Sequence, residues 1–172
     1  MARSLAAILL LAGLLSGCVL QSRAPLFSDS DSRLVFGEGQ FKALMFGLKD
    51  GKWVREDDRV SLASAGTHYV ASDGKKDDEI ALAFVPLSGK WHVVQASDVR
   101  NPAVYMFAEV NKGSADIYPL SCSALKSDAA LAKWIEFTGD DCFINADAPP
   151  AELFTALLAR RGEATSRIEI VH

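Results

Sequence analysis

Short segments in which apolar and polar residues alternate, separated by tight turns that contain glycine, dominate the chain from residue 33 onward. Because such short connections join neighbouring strands in opposite directions, the pattern predicts an antiparallel meander. The turns contain the pairs Asp50-Gly51, Asp73-Gly74, Ser88-Gly89 and Lys112-Gly113. The predicted strands are residues 33–36, 40–48, 52–55, 59–63, 67–72, 79–87, 90–96, 103–110 and 115–120, with shorter strands over 142–145 and 167–171.

The predicted central strands are apolar on both faces, which restricts how the sheet can be covered. In the strand over 79–87, Ile80, Leu82 and Phe84 would point to one face, and Val85 with two alanines to the other. Strands of this kind need apolar cover on both sides. We therefore predict a mainly β fold of the α+β class: a single antiparallel curled sheet or a partly open β-barrel, with two C-terminal helices as the cover.

Two segments near the C-terminus carry the spacing of amphipathic helices. Residues 128–137 place Leu131, Trp134 and Ile135 on one side of a predicted helix. In the second segment Asp147 is the expected N-cap, two prolines occupy the first turn, and Gly162 is the expected stop. The apolar stripe of this second helix consists of Leu153, Phe154, Leu157 and Leu158.

The first residues have the organisation of a secretory signal peptide: an early cation, Arg3, then an apolar run from Leu5 to Leu15, then small residues. The run has about half of the roughly 20 residues that a membrane-spanning helix needs. A cleaved export signal is therefore favoured over a stable transmembrane helix.

The end of that run, Leu15-Ser16-Gly17-Cys18, resembles the lipobox of bacterial lipoproteins. The resemblance implies cleavage after Gly17 and a lipid on the Cys18 sulfur, which would anchor the mature protein in the membrane of the cell envelope. The next residue, Val19, is not the aspartate that resembles an inner-membrane retention signal. We therefore expect a periplasm-facing protein, on the outer membrane rather than the inner one.

The domain organisation follows from this reading of the N-terminus. Residues 1–17 are the expected signal peptide, and residues 18–32 the lipidated N-terminus and a flexible tether, because serine, aspartate and proline recur there without periodicity. Residues 33–172 form the single β-rich globular domain that we predict.

Cys122 and Cys142 are the two cysteines that remain once Cys18 is assigned to the lipid. Thiols are kept paired in oxidising compartments outside the cytoplasm, so this even number favours a disulfide. It would stabilise the fold by roughly 3 kcal/mol. Two free buried thiols or a metal-binding pair are the alternatives, and the second lacks the cysteine spacing and the nearby histidines typical of zinc sites.

Charge and motifs exclude several classes of function. The formal net charge of -4 offers no basic surface for nucleic acid. The sequence contains no glycine-rich phosphate-binding motif, so we predict no nucleotide cofactor. The clustered carboxylates, such as Glu56, Asp57 and Asp58, fall in predicted turns and linkers, where solvation explains them better than a metal site does.

Catalytic residues are not predicted, and the chain is not expected to be an enzyme. His68 and His92 lie within predicted strands and are interpreted as structural. Ser64 with His68 is the nearest pairing of serine and histidine, but a glycine turn separates them and no acid is placed to orient the imidazole. A hydrolase would require one of these histidines to share a cleft with a serine or aspartate.

The sequences Gly51-Lys52-Trp53 and Gly89-Lys90-Trp91 each follow a predicted hairpin turn. Glycine and tryptophan in this spacing resemble the signature of lipocalins, small barrels that hold apolar ligands. The resemblance implies a ligand site in a barrel mouth, with the lining residues Trp53, Phe84, Trp91, Met106 and Phe107. The alternative is that each glycine ends a turn and each tryptophan packs on the rim.

Two functions are carried forward. We favour a non-catalytic, lipid-anchored envelope protein that acts by contact with another envelope component, and the alternative is a lipocalin-like binder of a small apolar ligand. An exposed apolar patch over a filled core would favour the first, and a cavity in the barrel would favour the second.

Overall fold

The computed structural model of the chain describes residues 19–74, 79–98 and 101–171. The predicted signal peptide and the predicted lipidation site, Cys18, lie outside the described residues. The strands are β1 (Leu20–Ser22), β2 (Gln40–Lys49), β3 (Lys52–Ala65), β4 (His68–Ser72), β5 (Glu79–Ser88), β6 (Trp91–Ser97), β7 (Ala103–Asn111), β8 (Ser114–Pro119), β9 (Ile135–Thr138), β10 (Asp141–Ile144) and β11 (Ser166–Val171). The helices are α1 (Cys122–Leu125) and α2 (Pro150–Leu158), and a 3₁₀ turn spans Asp29–Asp31.

Eight antiparallel strands form a closed barrel in the order β6-β5-β4-β3-β2-β11-β8-β7. The pairing of β6 with β7, from Trp91 opposite Glu109 to Ala96 opposite Val104, closes the ring. The mainly β prediction with two helices is confirmed, and the barrel is closed. Closure leaves no free edge between the first and last strands of the ring.

The two ends of the barrel differ. At one end, the segment 33–39 bonds to neighbouring strands: the Phe36 backbone N–H donates to the Tyr69 hydroxyl over 2.8 Å, and the Gly39 N–H donates to Ser64 Oγ over 2.9 Å. We call this the closed end. The opposite end, where β2, β4, β6 and β8 end and β3, β5, β7 and β11 begin, is called the mouth.

Two apolar cores lie on the two sides of the same strands, as the apolar character of both faces predicts. Inside the barrel, the buried residues come from all eight strands: Phe41, Ala43, Met45, Val60, Leu62, Tyr69, Ala71, Phe84, Val94, Ala108, Ala115, Ile117 and Ile168. Outside, α2 packs on the outer faces of β5, β6 and β7 through Leu153, Phe154 and Leu157. The helix α2 therefore covers the apolar outer face of these strands.

A small sheet extends the outer core from one side of β7. β1 pairs antiparallel with β7 and parallel with β10, and β10 pairs antiparallel with β9. The sulfur atoms of Cys122 and Cys142 lie 2.13 Å apart, joining α1 to β10. The predicted pairing of these two cysteines is thereby confirmed.

The prediction of a helix over residues 128–137 is wrong. Turns occupy residues 129–134, and the strand β9 begins at Ile135, which pairs with Ile144 of β10. The spacing of Leu131, Trp134 and Ile135, which predicted a helix, is also compatible with the turns. The backbone from Ile135 onward forms hydrogen bonds with the edge of β10 instead of within a helix. The second predicted helix is present as α2, but it begins at Pro150 with Pro149 as its N-cap residue rather than Asp147.

Two predictions about the N-terminal part also differ from the structure. Residues 19–32, expected to include a flexible tether, pack along the barrel, and Leu20 in β1 is fully buried. Residues 33–36, expected to form a strand, are irregular and belong to the segment at the closed end. β1 has only three residues, too few to show an alternation of apolar and polar side chains. Its position depends on partners that are distant in the sequence.

Candidate functional site

The inner wall of the barrel is only partly covered at the mouth. Leu82, Ala96 and Val104 stand opposite one another on β5, β6 and β7, on the inner face, and all three are half-buried. Deeper in the barrel, Phe84 and Val94 are 1% and 2% exposed. The barrel is therefore filled by side chains at depth and presents an accessible apolar surface at its mouth.

Ser166, at the start of β11, adds a polar group to the inner face. It pairs with Ile117 of β8 on one side and with Gly47 of β2 on the other, and it is 3% exposed. Its Oγ atom has no hydrogen-bond partner among the described residues. Leaving a buried hydroxyl unpaired costs about 1–3 kcal/mol, so such a group is a candidate for bonding to something that the barrel takes up.

Glu56 brings a carboxylate to the same region. The register between β2 and β3 shifts after Leu44, so that residues 56–58 of β3 lie opposite the single residue Met45. Val54 pairs with Gly47, and Glu56, two residues further, projects on the same side of the strand. The predicted acidic turn at Glu56 is therefore part of a long, irregular strand.

The absence of a side chain at Gly47 leaves room for the Glu56 carboxylate on the inner side of the barrel wall. A Cβ atom placed on Gly47 would lie 2.7 Å from Oε1 of Glu56, so only glycine leaves room for the carboxylate where it stands. Gly47 pairs with Ser166, whose hydroxyl is unpartnered. Among the described residues, no cation and no hydrogen-bond donor is paired with the Glu56 side chain.

The structure separates the five residues that were predicted to line a ligand site. Phe84 and Met106 belong to the inner face, with Phe84 buried and Met106 half-buried. Phe107 belongs to the outer face, where its ring centroid lies 6.2 Å from that of Phe154 in α2. Successive residues of a strand point to opposite faces, so Met106 and Phe107 cannot line the same cavity.

Both tryptophans of the Gly-Lys-Trp sequences pack on the outer surface. The guanidinium of Arg167 lies 4.7 Å above the Trp53 ring and binds Asp116 through two hydrogen bonds of 2.5 and 2.9 Å. The guanidinium of Arg161 lies 4.2 Å above the Trp91 ring. Both rings are used in cation–π contacts along the barrel wall, as the rim interpretation of these tryptophans expects.

The two histidines make local contacts. Nδ1 of His68 lies 3.1 Å from a carboxylate oxygen of Asp29, in the 3₁₀ turn, and Nδ1 of His92 lies 3.1 Å from the backbone oxygen of Lys90. Ser64, the nearest serine to His68, accepts its hydrogen bond from the segment at the closed end. The His68 contact is a close approach between the N-terminal segment and β4 that does not form a hydrogen bond, and the His92 contact lies within the hairpin of β5 and β6.

Sequence reasoning missed Gly47, Glu56 and Ser166. The signal for Gly47 was present, because an isolated glycine inside a strand pattern marks a bulge or a close approach of another group. Glu56 stands beside two further acidic residues and resembles a solvated turn until the register of β3 is known. Nothing in the sequence shows that Ser166 lacks a partner.

The comparisons with known proteins supply no relative: no family model, no curated protein and no solved structure matches this chain. Within the described ranges, no group of three or more histidine, cysteine or acidic residues is arranged to hold a metal ion. No described helix has the length and apolar character needed to cross a membrane.

Proposed function

We propose that this protein is a non-catalytic, lipid-anchored protein of the bacterial cell envelope that binds a small, mainly apolar molecule in the mouth of its barrel. The observation that carries the binding role is the half-buried inner wall at the mouth, formed by Leu82, Ala96 and Val104 above a filled interior. Barrels of eight strands have room for one small ligand at most.

The other role expected from the sequence, contact with another envelope component, has less support from the surface. An interface for a protein partner usually presents a contiguous exposed apolar patch. Among the described residues, the large hydrophobic side chains that stand out are Val54 and Val171, which are 41% and 43% exposed. Val54 lies at the mouth and Val171 at the closed end, so the two do not form one patch.

The anchoring part of the proposal is supported by the lipobox resemblance alone. Cys18 directly precedes the described residues, and Val19 and Leu20 attach the start of the chain to the barrel body through backbone bonds at Ser121 and Leu120. A lipid at Cys18 would therefore hold the domain at the membrane through a short connection.

The binding role is tested by filling the mouth. We expect the purified protein to bind the neutral apolar probe N-phenylnaphthylamine with an increase in probe fluorescence, and Leu82→Trp to reduce that binding about tenfold or more by occupying the apolar surface. Val171→Trp, which adds the same ring at the exposed closed end, is the matched control and should bind the probe normally.

The thermal unfolding midpoints of both variants show whether they fold. Absence of probe binding by the unmodified protein, or equal binding by folded Leu82→Trp and Val171→Trp, would contradict the binding role.

A further inference from the structure

We infer that the mouth selects an amphiphile that carries a protonated amine at one end, and that Glu56 and Ser166 bind the ammonium group while the apolar inner wall receives the hydrocarbon part. The inference rests on the proposed function, because it specifies the chemical class of the molecule that the mouth would bind. The carboxylate and the hydroxyl come from β3 and β11, which flank β2 on its two sides.

The position of the carboxylate is the first support. Gly47 lies between Val54 of β3 and Ser166 of β11 in the register, and the Glu56 carboxylate stands over Gly47 on the side where a side chain would project. Along β2, Gly47 falls on the same face as Met45, which is buried inside the barrel. The carboxylate is therefore on the inner side of the wall, next to the strand position of Ser166.

The second support is that no described side chain supplies a counter-charge to Glu56. Glu56 is half-buried and has no ion-pair partner among the described residues. The lysines of the neighbouring hairpin, Lys49 and Lys52, are exposed at the turn and do not pair with it. A half-buried carboxylate gains most from a ligand that supplies a positive charge and N–H donors.

Ser166 makes the choice of head group more specific. Its buried hydroxyl lacks a partner, and an ammonium group has three N–H donors, enough to reach both the carboxylate and this hydroxyl oxygen. A carboxylate head group would be repelled by Glu56, and the described side chains include no group of three or more histidine, cysteine or acidic residues that could hold a metal ion here. The combination of one acid, one hydroxyl and apolar side chains matches an organic amine.

The test compares three ligands that share one hydrocarbon chain and differ in charge: octylammonium, octanol and octanoate. Each ligand competes with N-phenylnaphthylamine for binding to the full-length domain. Every ligand is used below the concentration at which it forms micelles. We expect octylammonium to displace the probe at a concentration about tenfold lower than octanol, the size of effect of one charge-assisted hydrogen bond, and octanoate to be the weakest competitor.

Two variants assign the preference to the carboxylate. In Glu56→Gln, octylammonium and octanol should displace the probe at nearly the same concentration, and the value for octanol should be unchanged. Asp57→Asn makes the same change of charge at an exposed neighbour and should keep the preference for octylammonium. Gly47→Ala should also weaken it, because the added Cβ displaces the end of the flexible Glu56 side chain without removing its charge. Thermal midpoints check the folding of each variant.

The outcomes separate the two proposals. If the unmodified protein binds the probe but prefers octanol or octanoate, or if Asp57→Asn and Glu56→Gln act equally, the amine inference is overturned and the binding role stands. If neither the probe nor any of the three ligands binds, the proposed function itself fails.

Discussion

Tyr105 shows how a single buried polar residue fixes the N-terminal segment to the barrel. Its hydroxyl lies 2.7 Å from Ser22 Oγ, accepts the Leu26 backbone N–H over 3.0 Å and donates to Gln95 Oε1 over 3.1 Å. Gln95 in turn accepts the N–H of Phe27. A network of this kind is valuable only when it is complete, since each group left unpaired in the interior costs free energy.

Burial raises the pKa of Tyr105 above its ordinary value of 10.0, although the hydrogen bonds from Ser22 and Leu26 act in the opposite direction. The folded state therefore resists ionisation that the unfolded state allows. The resulting stability is fully present below the ordinary tyrosine pKa and is lost as pH rises through the raised pKa of the folded protein.

We expect Tyr105→Phe to lower the free energy of unfolding at neutral pH by about 1–3 kcal/mol, because Ser22 and Gln95 lose a partner. Above about pH 10 the variant should lose stability less steeply than the unmodified protein. Burial also raises the pKa of Tyr69 and Tyr118, so the comparison of the two proteins isolates Tyr105. Urea unfolding over a pH series measures both effects, and parallel curves for the two proteins would refute this role.

At the residue scale, the sequence indicated which side chains are apolar but not which wall of the barrel they face. The alternation within the strands set Phe84 and Met106 on one face but did not show that this face is the interior, where the structure places them. Trp53 and Trp91 point outward because the register and the closure of the barrel decide their face, and the guanidinium groups that cover them come from residues 161 and 167, far along the chain.

The disulfide between α1 and β10 is expected to contribute to the stability of the fold. It joins α1 to β10 across a sequence separation of 20 residues and belongs to the outer core rather than to the barrel interior. Replacing both Cys122 and Cys142 by serine should lower the free energy of unfolding by about 3 kcal/mol, because the unfolded chain regains the freedom that the closed loop removes.

Binding of N-phenylnaphthylamine to this double variant, at a temperature where it is folded, should match that of the unmodified protein. The control is the unmodified protein in reducing agent, which should show a similar loss of stability. Loss of probe binding by the folded variant would mean that the small sheet shapes the mouth, contrary to our description.

Element prediction succeeded where the pattern is long and failed where it is short. The strands from β4 to β8 follow from alternating runs, and three of their four connections contain glycine, because these interactions are local in sequence. The three-residue β1 and the four-residue β9 depend on pairing with β7 and β10, so a local pattern could not reveal them. The same reason accounts for the incorrect helix over 128–137.

For the whole molecule, the attachment of the first described residues bears on the proposed lipid anchor. Val19, the residue that follows Cys18 in the sequence, forms a bridge with Ser121. A lipid on Cys18 would hold the barrel close to the bilayer surface, rather than on the long tether that the sequence suggested.

We expect Cys18→Ser to move the protein from the membrane fraction to the soluble periplasmic fraction of the bacterium, because lipid rather than charge provides the anchor in an acidic domain. Intact-mass measurement should show an added diacylglyceryl group and acyl chain on the unmodified protein and neither on the variant. Ala24→Ser, in the same N-terminal segment, is a control that should remain on the membrane. A native protein that retains Met1 or a free Cys18 thiol would contradict the anchor.

The closed barrel as a whole was only partly predictable. The strands and their antiparallel order are encoded in local patterns, whereas closure requires β11, near the end of the chain, to insert between β2 and β8. The candidate site depends on the same insertion, since it brings Ser166 beside Gly47 and thus near Glu56. A site assembled from the β2–β3 hairpin and a strand near the end of the chain leaves no motif in the sequence.

The most direct test of the account is to purify the protein from its own membranes under gentle conditions and to identify any bound small molecule by native mass spectrometry and solvent extraction. We predict that the unmodified protein carries one amphiphilic molecule per chain and that folded Leu82→Trp carries none. Recovery of an empty barrel in the unmodified protein, or of the same molecule in equal amount from the mouth-filled variant, would contradict the central claim.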